Sequence, residues 1–319
     1  SNGADGMPVL AFGGGTPDNN AIPTDLSRVT VTGNTFDKVF VKFIKVANKD
    51  VLALLLNNTW LGLEAQKVYN FTKGSVHNTI QDAINEANAD DIIFVGPGTY
   101  NENLTIDKPV TLLGPNAGVA GYSEERNEEA VIVTQSGFDA GNGYGGITVL
   151  ADGVTIDGFS IVQGVEQAII HTHNSHALTL KNNRVSGIEG ANPRGIDIGY
   201  ASAASNNVKI EANEFYDLYC GVFVSQGANL VIENNKFSNM AEGAIVFDGT
   251  WGNTGNINVL SNQAIDAKYL LYFFNIVGSV TFENNVLTNT QLSNYHYYNA
   301  ERKVFYPTIQ AAIDWSVAV

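Results

Sequence analysis

One short pattern, in which alternating apolar residues are followed by an asparagine, recurs along the chain and constrains its fold more than any other feature. Written as apolar-x-apolar-x-x-Asn-x-apolar, it occurs at Val29/Val31/Asn34/Phe36, Leu178/Leu180/Asn183/Val185, Val208/Ile210/Asn213/Phe215, Leu230/Ile232/Asn235/Phe237, Ile257/Val259/Asn262/Ala264 and Val280/Phe282/Asn285/Leu287. A degenerate copy runs Val154/Ile156/Phe159/Ile161. Successive copies from Val154 begin 24, 30, 22, 27 and 23 residues apart. The chain therefore repeats one structural turn at nearly regular intervals.

Each copy predicts two strands joined by a tight bend. Period-two alternation places Val208 and Ile210 on one face, and the step across Asn213 returns Phe215 to the interior. Asparagine suits the bend because it tolerates left-handed backbone angles and because its amide can bond the backbone or the amide of the next turn. The spacing fits a right-handed parallel β-helix. We predict an all-β solenoid with a ladder of structural asparagines.

A second, longer repeat divides the chain. Thr79 opens the segment TIQDAINEA, and Thr308 opens a near-copy, TIQAAIDWS, 229 positions later. The match extends upstream, so that residues 1 to about 75 resemble residues 238 to about 306. We therefore predict that residues 1–74 are the terminal coils of a preceding β-helix unit or an accessory segment, and that residues 75–306 are one unit. Residues 307–319 are then a capping helix or the start of a next unit. Adjacent units would join through residues 61–73 and 295–306.

The open ends of a solenoid require covers, because unpaired strand edges would otherwise be exposed. In the segment from Thr79 to Ala87, the residues Ile80, Ala83 and Ile84 recur at helical spacing. This segment is predicted to be a short capping α-helix at the start of the unit.

Composition excludes several classes of partner. Lys and Arg total 17 against 32 Asp and Glu, which gives a net charge of −15, so a phosphate backbone would be repelled and nucleic acid is not an expected partner. The longest apolar runs, Val51 to Leu56 and Tyr269 to Phe274, are too short to span a bilayer, so no membrane insertion is expected. The single cysteine, Cys220, excludes an internal disulfide and is predicted to be a buried core residue.

Three consecutive motifs resemble the pectate-lyase-like superfamily of right-handed parallel β-helix proteins. They are TIQDAI from Thr79, GPGTYNE from Gly96 and IDKPVTLLG from Ile106. The run LGPNAG from Leu113, followed by an acidic loop and Ala130-Val-Ile, resembles in particular the non-catalytic modules of large repetitive bacterial surface proteins. The resemblance implies the β-helix fold and a secreted or cell-surface location. It says little about activity, because function depends on the site.

The catalytic motifs of the enzymatic relatives are absent. No segment matches the DFIFG or LGRPW motifs of pectin methylesterases or the DPHE motif of alginate epimerases. We expect a non-catalytic structural or adhesive module with no required cofactor, although calcium binding stays open. Its partners would be a polysaccharide or neighbouring repeat units. Two alternatives are a lyase or epimerase acting on a uronate polymer, and a filament subunit that associates head to tail.

If the protein is an enzyme, the candidate catalytic residues are Lys181, Arg184, Arg194 and Asp197. Ile196 and Ile198 flank Asp197, so an inward orientation of both would point the aspartate outward. Stacked coils could bring the four side chains to one face, where a cation would neutralise a uronate carboxylate and a base would remove a proton. The competing interpretation is that they are solvated coil ends, and we favour it.

Two further groups could bind ligands. His171 and His173 lie two apart on a predicted strand with His176 nearby, a spacing that can hold a metal, but no third firm ligand is evident and none is predicted. Aromatic residues concentrate late in the chain, at Tyr216, Tyr219, Tyr269, Tyr272, Phe273, Phe274 and the run Tyr295-His296-Tyr297-Tyr298. Of these, Tyr295, Tyr297 and Tyr298 lie outside the asparagine pattern. We predict them as the carbohydrate-binding residues, with packing of a junction between units as the alternative.

Overall fold

The fold is described from a computed structural model of the chain. It describes residues 10–12, 32–33, 35–37, 41–43, 59–61, 67–134, 145–163, 168–188, 191–199, 203–248, 250, 255–275, 279–294, 298–299 and 304–305. Two predicted features, the second TIQ segment from Thr308 and the first copy of the asparagine motif at Val29, Val31 and Asn34, lie outside these residues.

The described residues form short strands and one helix. In the amino-terminal part the strands are β1 Leu10–Phe12, β2 Thr35–Asp37, β3 Val41–Phe43, β4 Thr59–Leu61, β5 Val68–Asn70 and β6 Ser75–His77, followed by helix α1, Ile80–Glu86. The central strands are β7 Ile92–Val95, β8 Gly98–Tyr100, β9 Leu104–Ile106, β10 Thr111–Leu113, β11 Ala130–Thr134, β12 Gly145–Val149, β13 Thr155–Asp157, β14 Ser160–Gln163, β15 Ala168–Thr172, β16 Thr179–Lys181, β17 Arg184–Gly187 and β18 Arg194–Ile198. The remaining strands are β19 Lys209–Glu211, β20 Glu214–Val224, β21 Ala228–Glu233, β22 Lys236–Asp248, β23 Gly255–Leu260, β24 Gln263–Ile265, β25 Tyr269–Asn275, β26 Val280–Glu283, β27 Val286–Thr288, β28 Gln291–Ser293, β29 Tyr298–Asn299 and β30 Val304–Phe305.

Successive coils from β7 to β28 stack in parallel and give the solenoid three faces. Face 1 is the run β7-β10-β13-β16-β19-β21-β23-β26 of one sheet. Face 2 contains β8, β11, β14 and β17, and face 3 contains β9, β12, β15 and β18. The long strands β20 and β22 join both of these faces, after which β24 and β27 continue face 2 while β25 and β28 continue face 3. The predicted right-handed parallel β-helix is confirmed.

The strand register follows the predicted spacing. Ile156 pairs with Leu180, Leu180 with Ile210, Ile210 with Ile232, Ile232 with Val259 and Val259 with Phe282. These are the second apolar residues of consecutive motif copies. Each is buried except Phe282, which packs partly buried against the same core. The residues after the bend also stack, since the Phe215 and Phe237 rings lie 5.1 Å apart and nearly parallel.

The predicted asparagine ladder runs along the corner between face 1 and face 2. From Asn183 to Asn285, each Nδ2 donates to the Oδ1 of the asparagine in the next coil, over 3.1, 3.0, 3.0 and 3.0 Å. Each backbone N–H also donates to that Oδ1 at 2.9 Å. At the first end of the ladder, the backbone N–H of Phe159 donates to Asn183 Oδ1 over 2.9 Å. The degenerate copy with Phe159 therefore stacks on the ladder through its backbone alone.

The left-handed backbone at this corner belongs to the residue before the ladder asparagine. Positive φ angles of 54 to 57° occur at Asn182, Ala212, Asn234, Ser261 and Asn284. The expectation that the ladder asparagine itself adopts this conformation is wrong. The reason is geometric: the left-handed residue turns the chain, which lets the next side chain point inward and reach the adjacent coil.

Helix α1 covers the first coils as predicted. Ile80, Ala83 and Ile84 are buried in the main core. Thr79 caps the helix by accepting a hydrogen bond from the Asp82 backbone N–H at 3.0 Å. Glu102 accepts from two further first-turn N–H groups, at 3.0 Å each, and so fixes the helix to the turn before β9.

Antiparallel hairpins lie at both ends of face 1. Strands β5 and β6 pair with each other, and β5 pairs with β7. Strands β29 and β30 pair with each other, and β30 pairs with β26. Within the described residues, no helix has the length and apolar character that crossing a membrane requires.

We predict that Asn235→Ala lowers the free energy of unfolding by about 3 kcal/mol, because the buried Asn213 backbone N–H and the Ile210 carbonyl both lose their side-chain partner. Urea denaturation followed by intrinsic fluorescence measures the change. Asn258→Ala is the matched control, since this half-buried asparagine lies on strand β23 outside the ladder, and it should change stability by less than about 0.5 kcal/mol. Equal effects of the two substitutions would contradict a stabilising role for the ladder.

Candidate functional site

The four candidate catalytic residues lie on three successive strands of one coil and do not form one cluster. Lys181 is on β16, Arg184 on β17, and Arg194 and Asp197 on β18. The structure brings Arg194 and Asp197 together, whereas Lys181 and Arg184 have other partners.

Lys181 pairs with a buried carboxylate on the neighbouring coil. Its Nζ lies 3.4 Å from Asp157 Oδ2. The other oxygen of Asp157 accepts hydrogen bonds from the Gly118 N–H at 3.0 Å and Asn182 Nδ2 at 2.8 Å. Burial raises the pKa of Asp157, and the amide and lysine partners oppose that shift. Asp157 thus attaches the loop around Gly118 to the coils, and Lys181 balances its charge.

Arg184 holds the same loop from face 2. Its Nε donates to the Gly121 carbonyl over 2.7 Å and lies 3.3 Å from Glu214 Oε2. Arg126, whose side chain is only 3% exposed, forms two hydrogen bonds to Glu129 and donates to the Asn182 carbonyl over 2.7 Å. Sequence reasoning treated this loop as polar and missed Arg126, because nothing in the local pattern indicates that a loop arginine is buried. Lys181 and Arg184 are therefore committed to fastening a loop.

Arg194 and Asp197 form the charged part of face 3. Arg194 Nη1 lies 2.9 Å from Asp197 Oδ2, and the guanidinium carbon is 3.7 Å from the centre of the Phe223 ring. Asp197 also accepts a hydrogen bond from Ser225 Oγ over 3.1 Å. Burial raises the pKa of Asp197 to about 6, although Arg194 and Ser225 act in the opposite direction.

A groove of about 470 Å³ runs along face 3 beside this pair. It is lined by Asn192, Arg194, Tyr219, Phe223, Asp248, Thr250 and Phe274. Phe274 is 43% exposed. We call this the face 3 groove. It combines aromatic surface with one cation, one carboxylate and neutral polar groups, which is a lining that can contact a sugar through stacking and hydrogen bonds.

The aromatic side chains continue beyond the groove on β25. The rings of Tyr272 and Phe274 meet edge to face at 4.8 Å, and those of Tyr269 and Tyr272 lie 5.6 Å apart. Phe273 between them is buried in the main core. The sequence analysis noted this aromatic cluster but did not assign it to binding. Period-two alternation about a buried Phe273 is the signal that could have identified Tyr272 and Phe274 as outward-facing.

The predicted carbohydrate-binding tyrosines are only partly covered by the structure. Tyr295 and Tyr297 lie outside the described residues, and Tyr298 contributes its backbone to β29. Their role in sugar binding stays a prediction.

Cys220 is buried, as predicted, but it lies in a separate small cluster on face 3. It packs with Phe223 and Val246, with Tyr219 and Tyr272 against them. Complete burial raises the pKa of the Cys220 thiol, so it stays protonated and unreactive. This cluster forms the floor beneath the aromatic surface.

The histidine pair lies beside Asp197 in the strand order of face 3. His171 is buried and pairs in register with Asp197, and its ring centre is 6.1 Å from that of His173. Burial lowers the pKa of His171 to about 4, so the ring is neutral near pH 7. His176 accepts a hydrogen bond from the Asn206 N–H through Nδ1. In the part of the chain that the structure describes, no three His, Cys, Asp or Glu side chains are grouped so as to hold a metal.

Comparisons with known proteins agree with this fold. A family model for the right-handed β-helix region matches residues 102–264 and again residues 146–306. A cell surface glycoprotein from Methanothermus fervidus is 31% identical over 123 residues, which are 38% of this chain and 18% of that protein. The chain thus matches less than a fifth of the length of this relative.

Among solved structures, the chain is similar to a pectin methylesterase from Aspergillus niger, with 15% identity, a TM-score of 0.39 and coverage of 75% of this chain and 92% of that one. It is also similar to an alginate lyase from Paenibacillus sp., with 12% identity, a TM-score of 0.37 and coverage of 69% and 96%. The surface adhesin PfbA of Streptococcus pneumoniae has 12% identity, a TM-score of 0.29 and coverage of 70% and 89%.

We predict that the pH dependence of stability contains a contribution from Asp197. Its raised pKa means that the folded state binds the proton more tightly than the unfolded chain does. The resulting stabilisation is present below about pH 4 and is lost as the pH rises through about 6. Denaturation of the wild type and Asp197→Asn from pH 4 to 7 should therefore show the difference moving in favour of the variant by up to about 3 kcal/mol. A difference that stays constant over this range would contradict the assignment.

Proposed function

Because the chain belongs to the right-handed β-helix family, we propose that it is a non-catalytic structural and adhesive module of a repetitive cell-surface or secreted protein, and that the face 3 groove binds a polysaccharide. The observation that carries the second part is the outward aromatic surface of Phe274 and Tyr272 beside a polar groove.

The composition of the groove supports a carbohydrate ligand. Sugar rings present C–H faces that pack on aromatic rings, and their hydroxyl groups need donors and acceptors at the rim. Asp248, Asn192 and Thr250 offer such groups, and the Arg194 side chain is 39% exposed. The strong ion pair with Asp197 and the stacking on Phe223 hold the Arg194 guanidinium in place before any ligand binds. This preorganisation reduces the entropic cost of binding.

The non-catalytic part of the proposal rests on how the candidate charges are used. Lys181 and Arg184 fasten the loop at Gly118 and Gly121, so they supply no second cation to the face 3 groove. The similarity to a cell surface glycoprotein supports placement at the cell surface. A solenoid with regular coils is also suited to a stalk, since each coil adds length along one axis.

A second candidate is a lyase or epimerase acting on a uronate polymer. It is favoured by the Arg194 and Asp197 pair, because a guanidinium can neutralise a uronate carboxylate and a carboxyl with a pKa of about 6 can act as a general base near neutral pH. Incubation with pectate and alginate, with and without calcium, distinguishes the two candidates through the ultraviolet absorbance of unsaturated products. Product formed by the wild type and lost in Asp197→Asn would favour the lyase. An epimerase forms no such product, so nuclear magnetic resonance of the recovered polymer tests for it.

We predict that the wild type is retained on at least one immobilised polysaccharide in a panel of neutral and acidic polymers, and that Phe274→Ala and Tyr272→Ala each weaken this binding about fivefold or more, because stacking on the ring is lost. Affinity electrophoresis or biolayer interferometry measures the change. Val286→Ala is the matched control, because Val286 is also an exposed apolar residue, 57% accessible, but lies on β27 of face 2.

The control should bind like the wild type. Wild-type affinity in both aromatic variants would remove the face 3 groove as the binding site. The same loss in all three variants would indicate a general effect on folding.

A further inference from the structure

The hairpin that precedes the TIQ motif occurs twice in this chain. The 229-residue offset between the two TIQ motifs carries Tyr69 and Asn70 of β5 onto Tyr298 and Asn299, which form β29. The same offset carries Ser75 and Val76 of β6 onto Val304 and Phe305, which form β30. The sequence repeat is therefore also a structural repeat, with the same two strands in the same order.

The two copies of the hairpin differ in which neighbour they have. At the start of face 1, the first strand of the hairpin pairs with the strand that follows it in the chain: β5 with β7, Tyr69 opposite Phe94 and Asn70 opposite Ile93. At the end of face 1, the second strand of the hairpin pairs with the strand that precedes it: β30 with β26, Val304 opposite Thr281. Each copy thus shows one of two uses, and the two uses occupy opposite edges of the hairpin.

The strands before the first hairpin also repeat those before the second. Strand β2 lies 228 positions before β24, and each pairs in parallel with a later strand, β4 and β27 respectively. Strand β3 lies 228 positions before the start of β25, and the parallel pair β1 with β3 corresponds to β22 with β25. The hairpin β5–β6 therefore follows strands paired like the last coils of a unit and precedes the first coil of another.

We propose that this hairpin is a two-sided connector between consecutive β-helix units. Its second strand pairs with the last face 1 strand of the preceding unit, and its first strand pairs with the first face 1 strand of the following unit. The outer edge of β29 is then a docking edge for the first strand of another unit of the same kind. The register observed between β5 and β7 places Tyr298 opposite the equivalent of Phe94, and Asn299 opposite the equivalent of Ile93.

Pairing of this kind reverses strand direction between units. Strand β30 is antiparallel to β26, β29 is antiparallel to β30, and β5 is antiparallel to β7. The face 1 strands of a following unit therefore run opposite to those of the preceding one. A right-handed coil that keeps advancing along the same axis can reverse its strand direction only if its body lies on the other side of the shared sheet. Consecutive units are thus related by about a half-turn around the stacking axis.

A tandem variant tests the connector. The offset aligns Val319 with Asp90, so a second copy of residues 91–319 placed directly after Val319 continues the repeat in phase. In a Cys220→Ala background, Tyr298→Cys is combined with Phe94→Cys in the second copy. The control combines Tyr298→Cys with Leu113→Cys in the second copy, because Leu113 pairs with Phe94 and lies one strand further away. Strands are spaced about 4.8 Å apart, so the control pair is about 10 Å apart and beyond the reach of a disulfide.

Mild oxidation should give an intramolecular disulfide in the first pair and little in the control, as measured by a shift on a non-reducing gel and by mass spectrometry. Circular dichroism checks that both variants are folded. The absence of a disulfide in the first pair, or equal yields in both, would overturn the proposal. Cross-linked dimers whose yield falls on dilution would instead indicate head-to-tail association between molecules. None of these outcomes depends on polysaccharide binding, so the proposed function can fail independently.

Electron microscopy of the tandem variant tests the geometry. Class averages should show two rods offset to opposite sides of their junction. Two rods that continue along one common axis would overturn the half-turn.

Discussion

The buried amide ladder at the corner between face 1 and face 2 determines how the coils of this protein stack. Asn235 is representative: its Oδ1 accepts hydrogen bonds from the Asn213 backbone N–H and side chain, and its Nδ2 donates to the Ile210 carbonyl and to Asn262 Oδ1. A tight bend at this corner leaves backbone groups unpaired inside the solenoid, where each would cost about 1–3 kcal/mol. The ladder satisfies them coil by coil. A shift of one coil by one residue would remove the amide from its place and turn the core side chains outward.

The ladder also separates the parts of a coil that must be constant from those that can vary. Between the corner asparagine and the next face 1 strand, the chain can lengthen or shorten without disturbing the stack, which is why the register between coils ranges from 22 residues for Ile210 and Ile232 to 30 for Leu180 and Ile210. Face 3 lies within this variable stretch. The charged pair at Arg194, the aromatic row on β25 and the face 3 groove are all located there. A regular scaffold thus carries its distinctive chemistry on the face that the repeat constrains least.

The sequence predicted the scaffold well because its signals are local and periodic. The apolar alternation, the spacing of the coils and the capping helix each depend on residues a few positions apart, and the pairing of Leu180 with Ile210 follows from them. The site was predicted less well. Lys181, Arg184 and Arg194 seemed equivalent in sequence, but their partners depend on a loop more than 50 residues away, which contacts Arg184 through Gly121. No periodic signal indicates where such a loop folds back. The aromatic row was visible as composition, but its orientation required knowing that Phe273 points inward.

The ends of the solenoid are subject to a different constraint from its interior. A parallel stack exposes a strand edge at each end, and such edges promote uncontrolled association unless they are covered. Here the same hairpin lies at both ends of face 1, paired on one side through β5 and on the other through β30. An element that served only as a cover would need to recognise one type of end. A hairpin able to pair with both a first and a last strand covers either end and can also link one unit to the next. Antiparallel pairing is suited to this role, since it interrupts the parallel stack and so prevents a following unit from slipping into the register of the preceding coils. Repetition of the unit along a chain then requires no further interface than the hairpin itself.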